Sequence, residues 1–179
     1  MCVTMAASGP RETSASCPPT ARLHREVPPL SAYAVKHIAH DHGPLASMMR
    51  DVRRGPFSFT SNEPEASEAA LGNDIYVIEV RGEAKGPRSF WLGYKYRAYE
   101  KYPPAGNGLW RERFKYKNTG RPGERGEGFY FDVPIVLTDP LVSGWLRDRP
   151  PGMALMPDEF VAGIEALASD PANGAKRFG

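Results

Sequence analysis

The sequence predicts an α+β protein: a strongly bent antiparallel sheet of four or five strands, open or curled into a partial barrel, with N-terminal and C-terminal helices packed on its apolar face. Three observations predict it. Apolar residues recur with period two near Asp74–Val80, Phe90–Ala98, Trp110–Tyr116 and Phe129–Leu137. Spacings of three and four recur instead near Val35–Val52 and Phe160–Leu167. Gly- and Pro-rich stretches separate these segments, with eighteen of each residue in the chain.

A chain of 179 residues with 41% apolar content can bury one substantial core, and it is read as a single domain over residues 30–168. Residues 1–29 are rich in Ser, Thr, Pro, Ala and Arg with few apolar anchors, the composition of a disordered extension, and 169–179 reads as a flexible tail. The only cysteines, Cys2 and Cys17, lie in that extension, so no disulfide framework is expected and the cytoplasm is the default compartment. No apolar run approaches the roughly 18 to 20 residues of a membrane span. No cofactor motif stands out, and oligomeric state is not legible.

In chain order, Ser31 is placed to cap a helix whose stripe is Val35, Ile38, His42, Leu45, Met49 and Val52, interrupted by Gly43-Pro44 and ended by Gly55-Pro56. Phe57–Thr60 suits a short strand, and an acidic, Ala-rich connector follows to Asn73. The strand from Asp74 carries Tyr76, Ile78 and Val80 on one face and Glu79, Arg81, Glu83 and Lys85 on the other. Phe129–Leu137 is a strand in which Pro134 marks an edge or bulge. Thr138 and Asp139 precede a short helix from Pro140. Pro157 opens the last helix, with Asp158 and Glu159 at its positive end.

The strongest chemical signal is cationic. From Lys85 to Arg125 the chain holds eleven Lys or Arg against three Glu, although the net charge of the whole is only +2. In strand geometry Phe90, Leu92, Tyr94, Tyr96, Trp110, Phe114 and Tyr116 fall on aromatic faces, and Lys95, Arg97, Arg111, Arg113, Lys115 and Lys117 fall opposite them. Packing both aromatic faces into one core sets Arg97 opposite Arg113, which requires a bulge or long loop between Pro103 and Leu109. Like charges in register destabilise a sheet. Six of them gathered on one surface imply a polyanion held there, or neighbouring carboxylates. Arg121 and Arg125, in a Gly- and Arg-rich loop over 118–128, would add phosphate contacts, and Trp91, Tyr99 or Tyr102 would stack on bases.

Other constellations point elsewhere. Glu83 and Lys85, with Glu79 on the same strand and Asp74 or Glu68 as a further acid, resemble the metal-binding acids and lysine of restriction-type nuclease cores. Those cores follow this strand with a helix, whereas Ser89 here opens another strand. Arg81-Gly82-Glu83-Ala84-Lys85 resembles the Glu-x-Glu-x-Lys strand of triphosphate-tunnel enzymes, with Arg81 where the first Glu belongs. His40–Val52 resembles the first helix of a hemerythrin-like bundle, and His37 and His40, three apart on a helix, could pair on zinc or nickel. The order of elements from Phe131 to Leu167 resembles the closing part of PUA-like and EVE-type domains, which bind modified bases. The hemerythrin-like likeness covers about a dozen residues, the PUA-like one about forty and the other two only a few positions of one strand, so none assigns a family. The expected function is therefore a nucleic-acid or polyanion-binding module. The alternatives are a metal-dependent nuclease using Glu79, Glu83 and Lys85, and an inhibitor or adaptor that docks an acidic protein surface.

Overall fold

Four of the strands in the computed structural model form the centre of a six-stranded mixed sheet, and a separate sheet has three strands. Residues 30–83, 85–102, 116–121 and 128–178 are described. The expected disordered extension 1–29, the 103–109 loop, Arg111, Arg113, Lys115 and Arg125 lie outside them. The class is α+β, as the sequence predicts, but among the described residues there are nine strands, and neither sheet closes into a barrel.

The first departure comes at once. Ala32–Ile38 is a strand, β1, not a helix, and it runs parallel to β3 (Asp74–Arg81) with Val35 opposite Val77 and His37 opposite Glu79. A strand covered on both faces shows no polar-apolar alternation, so its two β-branched residues fell into a helical spacing with the turns that follow. Those turns are short: α1 (Ala39–His42), a 3-10 turn at Leu45–Met48 and α2 (Met49–Val52). Gly43 ends α1 at φ 76°, a left-handed backbone that suits glycine. The interruption expected at Gly43-Pro44 is a full break between short turns.

β4 (Ser89–Arg97) pairs with β3 and with β7 (Phe129–Val136), but the register slips on both sides of Gly93. An extra residue in a strand reverses which face the following side chains occupy. Phe90 and Leu92 therefore enter the core under the helices, together with Ile78, Phe131, Val142, Leu146 and Ile164. Tyr94, Tyr96 and Ala98 enter a second core on the other side, with Val35, Leu45, Met49 and Val77. A Cβ on Gly93 would lie 2.1 Å from Leu45 Cδ2, so only glycine lets that leucine seat over the bulge. The sequence expectation of one continuous aromatic face is corrected here: the face divides between two cores.

The C-terminal helices form as their spacing and caps predict. α4 (Pro140–Asp148) is capped by Asp139, whose carboxylate accepts from the Leu141 and Val142 amides, and α5 (Asp158–Ser169) follows Pro157. β8 (Met153–Leu155) joins them and pairs with the outer edge of β1. Pro134 sits where β7 shifts register, the bulge its place in the sequence predicts, and the neighbouring Val133 is 68% exposed. The stretch read as a tail carries a 3-10 turn and β9 (Lys176–Arg177), paired with β7, and buries Phe178.

The smaller sheet consists of β2 (Phe57–Ser61), β5 (Glu100–Tyr102) and β6 (Tyr116–Thr119), preceded by α3 (Pro64–Ala69). Within the described residues β6 pairs with β2 and β5 rather than with β4, so the hairpin expected from the sequence joins a different sheet. Asn118, read as the start of a loop, is fully buried in β6. Its amide accepts hydroxyl protons from Thr60 and Ser67 and donates to Ser67 O, and Tyr96 donates to its backbone carbonyl at 3.1 Å. Satisfied buried groups of this kind fix one arrangement, since any slip leaves several of them unpaired. They hold the small sheet on the large one.

Candidate functional site

Lys95 and Arg97 follow the Gly93 bulge onto the face that packs against α5. Lys95 Nζ lies 3.0 Å from Asp74 and 2.7 Å from Glu165, and Arg97 Nε lies 3.1 Å from Asp74. Lys95 also sits over the Tyr76 and Phe129 rings, and Tyr76 donates its hydroxyl proton to Glu165. Burial works against the charge on Glu165, but hydrogen bonds from Lys95 and Tyr76 outweigh it and hold its carboxyl below the ordinary range. Burial and the same carboxylate push the Tyr76 hydroxyl upward, so it remains a donor. The protein's own acids therefore neutralise these two cations.

The other expected contacts are also dispersed. Arg81 stacks its guanidinium 3.9 Å from the Trp91 ring and pairs with Glu79 at 2.9 Å. Arg121 lies 4.6 Å over the Tyr99 ring, and Tyr102 is exposed, donating to Glu100. Glu79 is fully buried, and its other oxygen accepts the Leu45 amide at 3.3 Å, so it anchors the 3-10 turn to β3. Glu83 is exposed in the turn beyond the strand, and Lys85 lies past it in the same turn. Among the described residues no three or more His, Cys, Asp or Glu gather in a way that could hold a metal ion. His37 and His40 are not a helical pair, because His37 belongs to β1. Its Nε2 lies 2.8 Å from Gly43 O and its ring meets His42 at 5.7 Å, while His40 is exposed beside Asp41. Among the described residues no helix is long and apolar enough to cross a membrane.

A cavity of about 440 Å³ opens between the two sheets, and sequence reasoning missed it. Its floor is Val35 and His37 of β1, Val77 of β3 and Tyr94 of β4. The roof is Phe57–Phe59 of β2 with Lys117 of β6, and His42, Ser47 and Met48 close one side. The roof follows from register: Lys117 lies directly opposite Phe59, its ammonium is 4.1 Å from the Phe57 ring centre, and the two phenyl rings meet edge to face. Burial lowers the pKa of Lys117 from the ordinary lysine value. Burial also lowers that of His37, although Gly43 O and Glu79 pull the other way. With Gly43 O as the acceptor, the proton of neutral His37 sits on Nε2. The Tyr94 hydroxyl donates to Phe57 O, and burial raises its pKa well above the ordinary phenol value, so it stays neutral.

Comparison with protein-family models, with curated proteins and with solved structures found no match to this chain. The site must therefore be read from its own chemistry. Its size falls in the range of small-molecule pockets, and its walls are aromatic and aliphatic with a few fixed polar groups.

Proposed function

We propose that this chain is a binding module that takes a small, largely apolar organic ligand in the cavity between its two sheets. One observation carries the reading: about 440 Å³ of space walled by Phe57, Phe59, Tyr94, Val35, Val77 and Met48, bordering the second core. Close packing is the norm in protein interiors, so an apolar space of this size is the feature that most needs an occupant. Ligand-observed NMR with a panel of one- and two-ring carboxylates, amides and alcohols tests it. Members of the panel should bind the native protein, and Met48→Trp, which fills the space from its partly buried side, should abolish binding while the fold is retained. A panel with no binders, or binding indifferent to Met48→Trp, would refute the cavity as the site.

A second reading keeps the polyanion proposal in a narrower form. The observation favouring it is the pairing of Arg121 with Tyr99, a cation and a ring together at one end of the small sheet, just past β6 and just before β5. Arg111, Arg113, Lys115 and Arg125 belong to the same proposal but lie outside the described residues. Lys95 and Arg97 no longer contribute to it, since Asp74 and Glu165 already occupy them. Short single-stranded DNA and RNA should then bind with an affinity that falls steeply with salt. A flat salt dependence, or no binding at low salt, would end this reading.

A further inference from the structure

Resting on the cavity reading above, we propose that the ligand is a monocarboxylate with a ring-sized apolar body, and that its carboxylate is held by Lys117. Several of the polar groups around the cavity are engaged by the protein itself. Ser47 Oγ donates to Pro44 O at 2.7 Å, Ser58 Oγ donates to the Tyr96 hydroxyl, Tyr94 donates to Phe57 O, and His37 Nε2 donates to Gly43 O. Lys36 reaches away to the carbonyls of Leu146 and Arg149 at the end of α4. Lys117 differs from all of these. Among the described residues no carboxylate forms an ion pair with it, and its ammonium lies over the face of the Phe57 ring.

An ammonium partly buried against apolar side chains, with no counter-ion among the described residues, loses some of its hydration, and an acid brought in by a ligand offsets that loss. The charge count selects among acids. One lysine matches one negative charge, whereas a dianionic phosphate would enter the same apolar walls with half of its charge unmatched. The rings of Phe57, Phe59 and Tyr94 around the space favour a flat body, which meets aromatic faces in stacked or edge-on contact. Burial lowers the Lys117 pKa, and a bound carboxylate opposes that shift. Carboxylate affinity should therefore fall as pH rises through the lowered value, at less alkaline pH than an ordinary lysine would give.

Calorimetric titration with 2-naphthoate and with its neutral isostere 2-naphthamide separates the outcomes. The native protein should bind naphthoate about ten-fold or more tightly than naphthamide. Lys117→Met should reduce that preference to within about two-fold while still binding naphthamide. Equal binding of the two compounds by the native protein, or a preference that survives in Lys117→Met, overturns the carboxylate assignment and leaves the cavity reading standing. If the native protein binds neither compound, the cavity reading itself fails. If Lys117→Met does not fold, the native protein still decides the matter. Naphthoate affinity that falls in the alkaline range while naphthamide affinity holds supports the assignment, and naphthoate affinity independent of pH overturns it.

Discussion

Lys95 and Lys117 come from the same cationic stretch of sequence and finish on opposite sides of the six-stranded sheet. Lys95 lies under α5 with Asp74 and Glu165 within ion-pair distance. Lys117 lies in the roof of the cavity against a phenyl ring, with no such acid among the described residues. A basic residue in a sequence therefore says little until its partner is known. The first lysine is part of the frame, and its removal or that of its acids should register as lost stability. The second should register mainly as lost binding.

The largest effect expected is on the device that separates the two. Gly93→Val would force a side chain into Leu45 at the bulge and should destabilise the protein by about 3 kcal/mol or more in chemical denaturation. If the variant is as stable as the native chain, the bulge does not seat Leu45 as described. Next comes Asp74→Ala, which leaves Lys95 and Arg97 without the acid they share. These side chains are mostly buried, so a loss of about 2 kcal/mol is expected from the denaturation midpoint.

Lys117→Met should contrast sharply with that. Among the described residues it leaves no carboxylate alone, and it removes a partly buried cation, so stability should change by no more than about 0.5 kcal/mol, or rise slightly. A large loss would show that Lys117 belongs to the frame after all.

The smallest effect concerns Glu165, which is partly exposed. Its folded carboxyl titrates below the ordinary range, so the stability it contributes is present above the unfolded value and is lost as pH falls through the folded one. The stability difference between the native chain and Glu165→Gln should therefore shrink on acidification. A difference that stays constant with pH would remove Glu165 from the Lys95 cluster.

What the sequence makes legible follows from how local each signal is. β3, β7, α4 and α5 are set by alternation, caps and proline placement within their own residues, and they form close to where those signals put them. β1 escaped because a parallel strand buried on both faces lacks alternation, and its partner β3 begins 42 residues beyond it. The Gly93 bulge had a visible sign, a glycine inside an aromatic strand, which marks a bulge or a close approach of another chain segment. That bulge turns Lys95 and Arg97 to the α5 side, whereas Lys117 departs because β6 belongs to the smaller sheet. The cavity left no sign at all, since Val35, Val77, Tyr94, Phe57 and Lys117 meet only when two sheets are laid together. Lys117 was singled out from the sequence, but as one of six cations rather than for the surroundings that distinguish it.

The most direct test of the difference between these two lysines is an NMR titration of the Lys117 side chain, free and with 2-naphthoate bound. Lys117 should titrate below the ordinary lysine range when the cavity is empty and shift upward when the carboxylate occupies it. An ordinary value, unmoved by the ligand, would contradict the account.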